Sequence, residues 1–276
     1  MPLGAKLTLL IPSSLTMEKE DLKIKTYKIG TIARAAAIYR VDKIIIYQDR
    51  EFDDSKFIST ILRYAETPQY LRKYLFPRSE ILRYAGVIPP LRTQHHPLGS
   101  ESSSIGDIRE GIIRDVGSDG SAWVEIGLEC PALLRNSGKA RKGERLTIKI
   151  FSREPLEVKV ARQDEIPPNW GYRVEIGSSL GKILSKSEDL VIATSKKGEA
   201  VNLKLLSKIA QEIKNRSISI AFGSPTRGLT EILRDEGIEL SNVSDYILNT
   251  IPNQGAQTVR SEEAIHSTLA LLNALR

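Results

Sequence analysis

Three short stretches in the C-terminal half carry residue types suited to holding a small molecule through the backbone. Ala221-Phe222-Gly223-Ser224-Pro225-Thr226-Arg227-Gly228 leaves the apolar run Ile218–Phe222, and Leu248-Asn249-Thr250-Ile251-Pro252-Asn253-Gln254-Gly255-Ala256-Gln257-Thr258-Val259-Arg260 leaves Asp245–Leu248. Upstream, Leu190–Ala193 runs into Thr194-Ser195-Lys196-Lys197-Gly198. Short apolar runs bounded by turn residues read as buried strands, and open α/β sheets place ligands where such strands end. Gly223 and Gly255 remove a Cβ and so permit close approach of the backbone to a ligand. The competing reading of residues 223–228 as a phosphate cradle lacks the Lys-Ser or Lys-Thr ending of a nucleotide P-loop. The three exits together read as a cofactor pocket built from backbone.

The second kind of chemistry is cationic. The chain has 276 residues, a net charge of +6 and a pI near 9.3, and the charge is concentrated. Arg135, Lys139, Arg141, Lys142, Arg145, Lys149 and Arg153 face a single acid, Glu144, within residues 132–153. Between Arg63 and Arg92, Arg72, Lys73, Arg78 and Arg83 alternate with Tyr64, Tyr70, Tyr74 and Tyr84. Cations grip phosphates and aromatic faces stack bases, so the two patches point to RNA, with Arg72, Lys73, Arg135, Lys139, Arg141 and Lys142 as candidate contacts. Solvated helix faces with half-buried tyrosines are the alternative. His95-His96 has no cysteine or carboxylate at ligand spacing, and Cys130 is the only cysteine, so no metal and no internal disulfide are expected. No apolar run approaches the roughly 20 residues of a membrane span, and the N-terminus does not read as a signal peptide, so the expected location is cytoplasmic.

The elements that must position these residues follow from periodicity. Residues 7–11, 21–40 and 43–47 read as strand, helix and strand, the start of a parallel sheet. The helix presents a face of little bulk, Ala33, Ala36 and Ala37, with Arg34 beside it. Two helical segments follow, broken near Pro68 and Pro77, and a Pro/Gly/Ser-rich linker begins near residue 88. Strands predicted at 109–116, 121–128, 145–151, 156–161 and 172–176, with no helix among them, suggest a small OB-like barrel. The α/β pattern resumes with strand 190–193, helix 200–214, strand 218–222, a helix from Leu229, strand 245–248 and helix 261–275. The fold class is therefore α/β, with residues 1–92 and 177–276 as one discontinuous domain and 93–176 as an inserted barrel.

Gly30-Thr31-Ile32-Ala33-Arg34-Ala35-Ala36-Ala37, then Phe222 through Gly228, then Leu248-Asn249-Thr250-Ile251-Pro252 through Ser261-Glu262-Glu263-Ala264, resembles the SPOUT methyltransferases. The inserted barrel, with Pro68-Gln69-Tyr70-Leu71-Arg72-Lys73 and Trp170-Gly171-Tyr172, resembles the archaeal and eukaryotic subfamily linked to uridine N3 methylation in ribosomal RNA. The resemblance implies an S-adenosylmethionine-dependent RNA methyltransferase with a SPOUT-type parallel sheet, a C-terminal trefoil knot and a homodimer that shares its active site. It implies cofactor contacts from Thr194, Ser195, Gly223, Leu248, Asn249, Thr250, Ile251, Gly255 and Thr258.

Methyl transfer from an activated sulfonium needs an aligned acceptor and an exit for its proton. A cation beside the uracil carbonyls would stabilise the anion that develops, and Arg34, matched by family position, and Arg260 are the candidates. Glu262 and Glu263 read either as proton acceptors or as the acidic first turn of a helix capped by Ser261. Gln257-Thr258-Val259-Arg260-Ser261 departs from the family's serine-leucine-asparagine motif, which weakens the case for ribose 2′-O chemistry. The alternatives are a non-catalytic RNA-binding or ribosome-assembly factor that retains the fold and a ribose 2′-O-methyltransferase.

Overall fold

The computed structural model describes residues 6–18, 21–97, 103–138, 140–214 and 216–275. In chain order the elements are β1 (Leu7–Pro12), α1 (Leu22–Ile38), β2 (Lys43–Gln48), α2 (Ser55–Glu66), α3 (Gln69–Leu75), β3 (Ile108–Val116), β4 (Ala122–Glu125), β5 (Ala132–Leu134), β6 (Arg145–Arg153) and β7 (Leu156–Val160). There follow β8 (Arg173–Ser179), α4 (Leu180–Leu184), β9 (Leu190–Ala200), α5 (Leu203–Glu212), β10 (Ile218–Ala221), α6 (Leu229–Arg234), β11 (Tyr246–Asn249) and α7 (Ser261–Asn273).

Two compact units emerge: residues 1–63, 81–90 and 171–276, and residues 64–80 and 91–170. The first is a six-stranded sheet in the order β11-β9-β10-β1-β2-β8, with every neighbouring pair parallel. Leu7, Leu9, Leu10 and Ile11 are all buried, as a central strand covered on both faces requires. Asp21 opens α1 by accepting from Ile24 N at 2.8 Å. Arg40, at φ +56, turns the chain out of the helix in the left-handed region. The small residues on α1 allow close packing: a Cβ on Gly30 would lie 3.0 Å from Pro89 Cδ. Among the described residues no helix is long and apolar enough to cross a membrane.

The second unit is the closed barrel β3-β4-β5-β7-β6, filled by Ile113, Val124, Ile126, Leu134, Ile148, Ile150 and Val158. Three expectations are corrected here. Residues 172–176 were read as a barrel strand; β8 instead pairs in parallel with β2 at the edge of the sheet. The fifth barrel strand is the three-residue β5, which pairs with β4 and β7 and lies inside the stretch read as a cationic patch. Residues 64–80, expected with the sheet, group with the barrel: Tyr70 donates to Glu110 O at 2.8 Å, and Gly127 is so close to the Tyr70 ring that a Cβ would lie 2.5 Å from Cγ. Linker residues 98–102 lie outside the described residues.

Candidate active site and cofactor loops

The first and third strand exits converge. β9 does not end at Ala193: it continues to Ala200, and its pairing with β11 jumps from Ile247↔Ala193 to Leu248↔Glu199. Thr194–Gly198 is therefore an excursion within a strand rather than the loop expected. It folds back tightly, since a Cβ on Gly198 would lie 2.7 Å from Ile247 O. Thr194 Oγ1 donates to Ala221 O at 2.9 Å, joining the excursion to the end of β10, and Ser195 Oγ accepts from Lys197 N at 3.2 Å.

A clasp joins this excursion to the third loop. Asn249 Nδ2 donates to Lys196 O and Lys196 Nζ donates to Gln257 O, each at 3.1 Å. Asn249 Oδ1 also accepts from Ile251 N, and Thr250 Oγ1 is 2.8 Å from Thr268 Oγ1 on α7. Leu248 is fully buried and sets the root of the loop. Thr258 is exposed, and a Cβ on Gly255 would meet nothing within 4 Å, so the surface of this loop is open to a ligand.

The second loop is built differently. A Cβ on Gly223 would lie 2.8 Å from Arg227 O, so this glycine closes the loop's own turn, a nearer reason for its presence than ligand approach. The turn is completed by Ser224 N donating to Arg227 O and Ser224 Oγ accepting from Arg227 N, both at 2.9 Å. Buried Tyr47 donates its hydroxyl to Phe222 O at 2.7 Å, and burial pushes its pKa well up, so it stays a donor. A cavity of about 280 Å³ lies beside Arg227, lined also by Gln48, Asp49, Arg50, Asp235 and Glu236.

Arg34 sits on α1 with Nη1 donating to Pro90 O at 3.2 Å. Arg260 is exposed and is itself the N-cap residue of α7, replacing the expected Ser261; its backbone N donates to Glu263 Oε2 at 2.9 Å. Glu263 is thus committed to the cap. Glu262 faces Lys28 of α1 across 3.6 Å, with both side chains largely buried, a pair that joins α1 to the helix after the third loop and that spacing alone does not reveal.

In the barrel unit many of the predicted RNA contacts have intramolecular partners. Arg72 stacks 4.5 Å over Tyr64 and donates to Thr67 O at 2.9 Å. Arg135 Nε donates to Glu157 Oε2 at 3.0 Å, while Arg145 joins Glu66 and Glu110, each at 2.6 Å. Lys73 is exposed and lies over Tyr74, and Arg141 and Lys142 keep exposed side chains with no ion pair among the described residues. Lys139 lies outside the described residues. His95 and His96 both turn Nε2 to Glu66 O, at 2.9 and 2.6 Å. Burial and the neighbouring His95 lower His96 to about 4. Burial opposes ionisation of Glu66, but hydrogen bonds from His95 and Arg145 outweigh it and hold the carboxyl at about 2.

Residues 6–272 match the family described as "Putative RNA methyltransferase". A protein of Halobacterium salinarum is 39% identical over 282 residues, covering 96% of this chain and 98% of that one. The 28S rRNA (uridine-N(3))-methyltransferase of Drosophila melanogaster is 30% identical over 320 residues, covering 98% of this chain and 62% of that one; the human enzyme of the same name is 30% identical over 302 residues, with 96% and 77% covered. Among solved structures, the SpoU methyltransferase AviRb of Streptomyces viridochromogenes with AdoMet aligns at a TM-score of 0.40 and 10% identity over 99% of this chain and 57% of that one, a likeness too slight to place any residue. With a match that runs almost from end to end, through both units and all three strand exits, the chain belongs to this family of RNA methyltransferases.

Proposed function

We propose that the protein is an S-adenosylmethionine-dependent RNA methyltransferase of the SPOUT type that methylates N3 of a uridine in large-subunit ribosomal RNA. The clasp between Lys196, Asn249 and Gln257 carries the reading, because it brings two of the three predicted cofactor loops together in a chain of this family. The choice of uridine N3 is supported by the names of the Drosophila and human relatives.

In this reading Thr194, Ser195, Gly223, Leu248, Asn249, Thr250, Ile251, Gly255 and Thr258 hold the cofactor largely through backbone groups. When bound, it supplies a methyl group already activated on a sulfonium. Arg34 and Arg260 hold the uracil oxygens and stabilise the charge that develops as N3 loses its proton. Arg72, Lys73, Arg135, Lys139, Arg141 and Lys142 of the barrel unit are proposed to contact RNA, with Lys73, Arg141 and Lys142 favoured by their exposure. A trefoil knot is part of the same proposal and is supported by the resemblance to the SPOUT methyltransferases. A homodimer is supported by Ile24, Tyr27 and Ile38, exposed large side chains at helical spacing on α1. A cytoplasmic location is part of the same proposal, in keeping with one exposed, free cysteine.

Calorimetric titration with S-adenosylmethionine, followed by incubation with large-subunit RNA and mass spectrometry of the nucleosides, tests this. Saturable binding and 3-methyluridine are expected. RNA binding without cofactor binding would favour an assembly factor, and a ribose-methylated product would refute the choice of N3.

A further inference from the structure

Arg227 lies in the stretch for which a phosphate cradle is the competing reading, yet its side chain is only 15% exposed and is surrounded by acids. Its guanidinium lies 3.6 Å from Asp49 through Nη1 and 3.5 Å from Glu51 through Nε, and Nη2 pairs with Asp235. Nη2 also donates to Glu231 O at 3.1 Å. Asp49 and Glu51 follow β2, whereas Glu231 and Asp235 lie on and just after α6, so one planar group ties the loop to two separate elements. Thr226 adds a hydrogen bond to Glu51 Oε2 at 3.1 Å. At the other end of the loop Tyr47 holds Phe222 O. The first and third exits hold each other, whereas the second, beyond the bond from Thr194 to Ala221 O at its root, is held by this clamp.

We propose that Arg227 is a positioning residue that fixes the second loop for cofactor binding and offers no charge to RNA. The inference rests on the methyltransferase reading. Three carboxylates around one cation leave the neighbourhood negative, which repels a phosphate. Their arrangement suits a forked donor: a lysine's compact ammonium does not match the planar spread of a guanidinium toward carboxylates that follow β2 and α6. Loss of the clamp leaves the chain fold intact but lets the turn at Gly223–Gly228 sample shapes that do not bind.

Full-length wild type, Arg227→Ala and Arg227→Lys are compared for cofactor affinity by calorimetry, for steady-state kinetics, and for RNA affinity across a salt series. Arg227→Ala is expected to weaken S-adenosylmethionine binding by about tenfold or more, and Arg227→Lys by about threefold to tenfold. KM for the cofactor should rise with kcat within about threefold of wild type, the pattern of lost binding rather than lost transition-state stabilisation. RNA affinity and its salt slope should not change. Cofactor affinity within twofold of wild type in Arg227→Ala overturns the proposal, and so does a salt slope reduced by about 1, which would assign Arg227 to a phosphate. If Arg227→Ala does not fold, Glu51→Gln and Asp235→Asn each remove one arm at a more exposed partner. Each should weaken the cofactor by about twofold to fivefold, and no change in either overturns the clamp. Failure of wild type to bind the cofactor sinks the methyltransferase reading itself and is visible without any variant.

Discussion

Gly198→Ala tests how the cofactor loops are held. The added Cβ would sit 2.7 Å from Ile247 O and 2.8 Å from both Ile247 C and Leu248 C. All three are backbone atoms of or beside β11, so no side chain can rotate away. Either the excursion 194–198 or the paired strand must shift by several tenths of an ångström, an overpacking cost of about 1–3 kcal/mol. For a chain of this size that lowers Tm by about 2–5 °C. The shift falls two residues from Lys196, whose carbonyl and amine form the clasp with Asn249 and Gln257. Cofactor affinity should therefore fall, by about 5–150-fold to the extent that the binding shape must be restored against that energy. Gly255→Ala is the control: its Cβ would meet nothing within 4 Å, so stability should stay within about 0.5 kcal/mol while cofactor binding weakens. Thermal melts and calorimetry on both variants decide the matter. A Gly198→Ala protein that melts and binds like wild type would refute the argument that this close approach holds the site.

Arg145→Ala would strand the buried carboxylates of Glu66 and Glu110, a loss of about 3–5 kcal/mol; hydrogen exchange should show protection falling in residues 91–170 and persisting in the sheet. Acid should destabilise the barrel unit in two stages. His96 has a folded pKa of about 4 against 6.5, and Glu66 about 2 against 4.5, so in both cases the unfolded chain takes up the proton first as pH falls. Stability from His96 is complete above pH 6.5 and is lost towards 4; that from Glu66 is complete above 4.5 and is lost towards 2. Urea midpoints across pH should show both, and His96→Asn should flatten the upper stage. Tyr27→Glu places a charge in the exposed stripe of α1 and should shift a dimer to monomer by at least about tenfold in dissociation constant, read by sedimentation.

The sheet was legible because its strands are apolar runs separated by amphipathic helices. Leu7–Pro12, Lys43–Gln48, Ile218–Ala221 and Tyr246–Asn249 stand close to where periodicity puts them. β8 was misassigned because it is an edge strand whose residues are mostly exposed or half-buried, so its pattern resembles that of a barrel wall. Only its pairing with β2 reveals its sheet. β5 was missed because three residues between Pro131 and Arg135 carry too little alternation to register as a strand. The excursion in β9 looked like a strand end because Thr194–Gly198 has loop composition; that the chain resumes pairing at Glu199 depends on β11, some fifty residues on.

Charge was the least legible property, for a physical reason. Residues 132–153 contain seven cations and one acid, so a local count predicts a bare basic surface. The acids that answer them come from elsewhere: Glu157 for Arg135, Glu66 and Glu110 for Arg145, and Glu165 for Lys149. Arg227 is the same case in the sheet unit, met by carboxylates 178, 176 and 8 residues away at Asp49, Glu51 and Asp235. Coulomb attraction acts through space, and folding brings opposite charges together over any sequence separation. A run of cations therefore states how much charge must be answered, and the fold decides how much is left for RNA. That remainder includes Lys73, Arg141 and Lys142, so neutralising these three should flatten the salt dependence of RNA binding more, per charge removed, than neutralising Arg72 and Arg135.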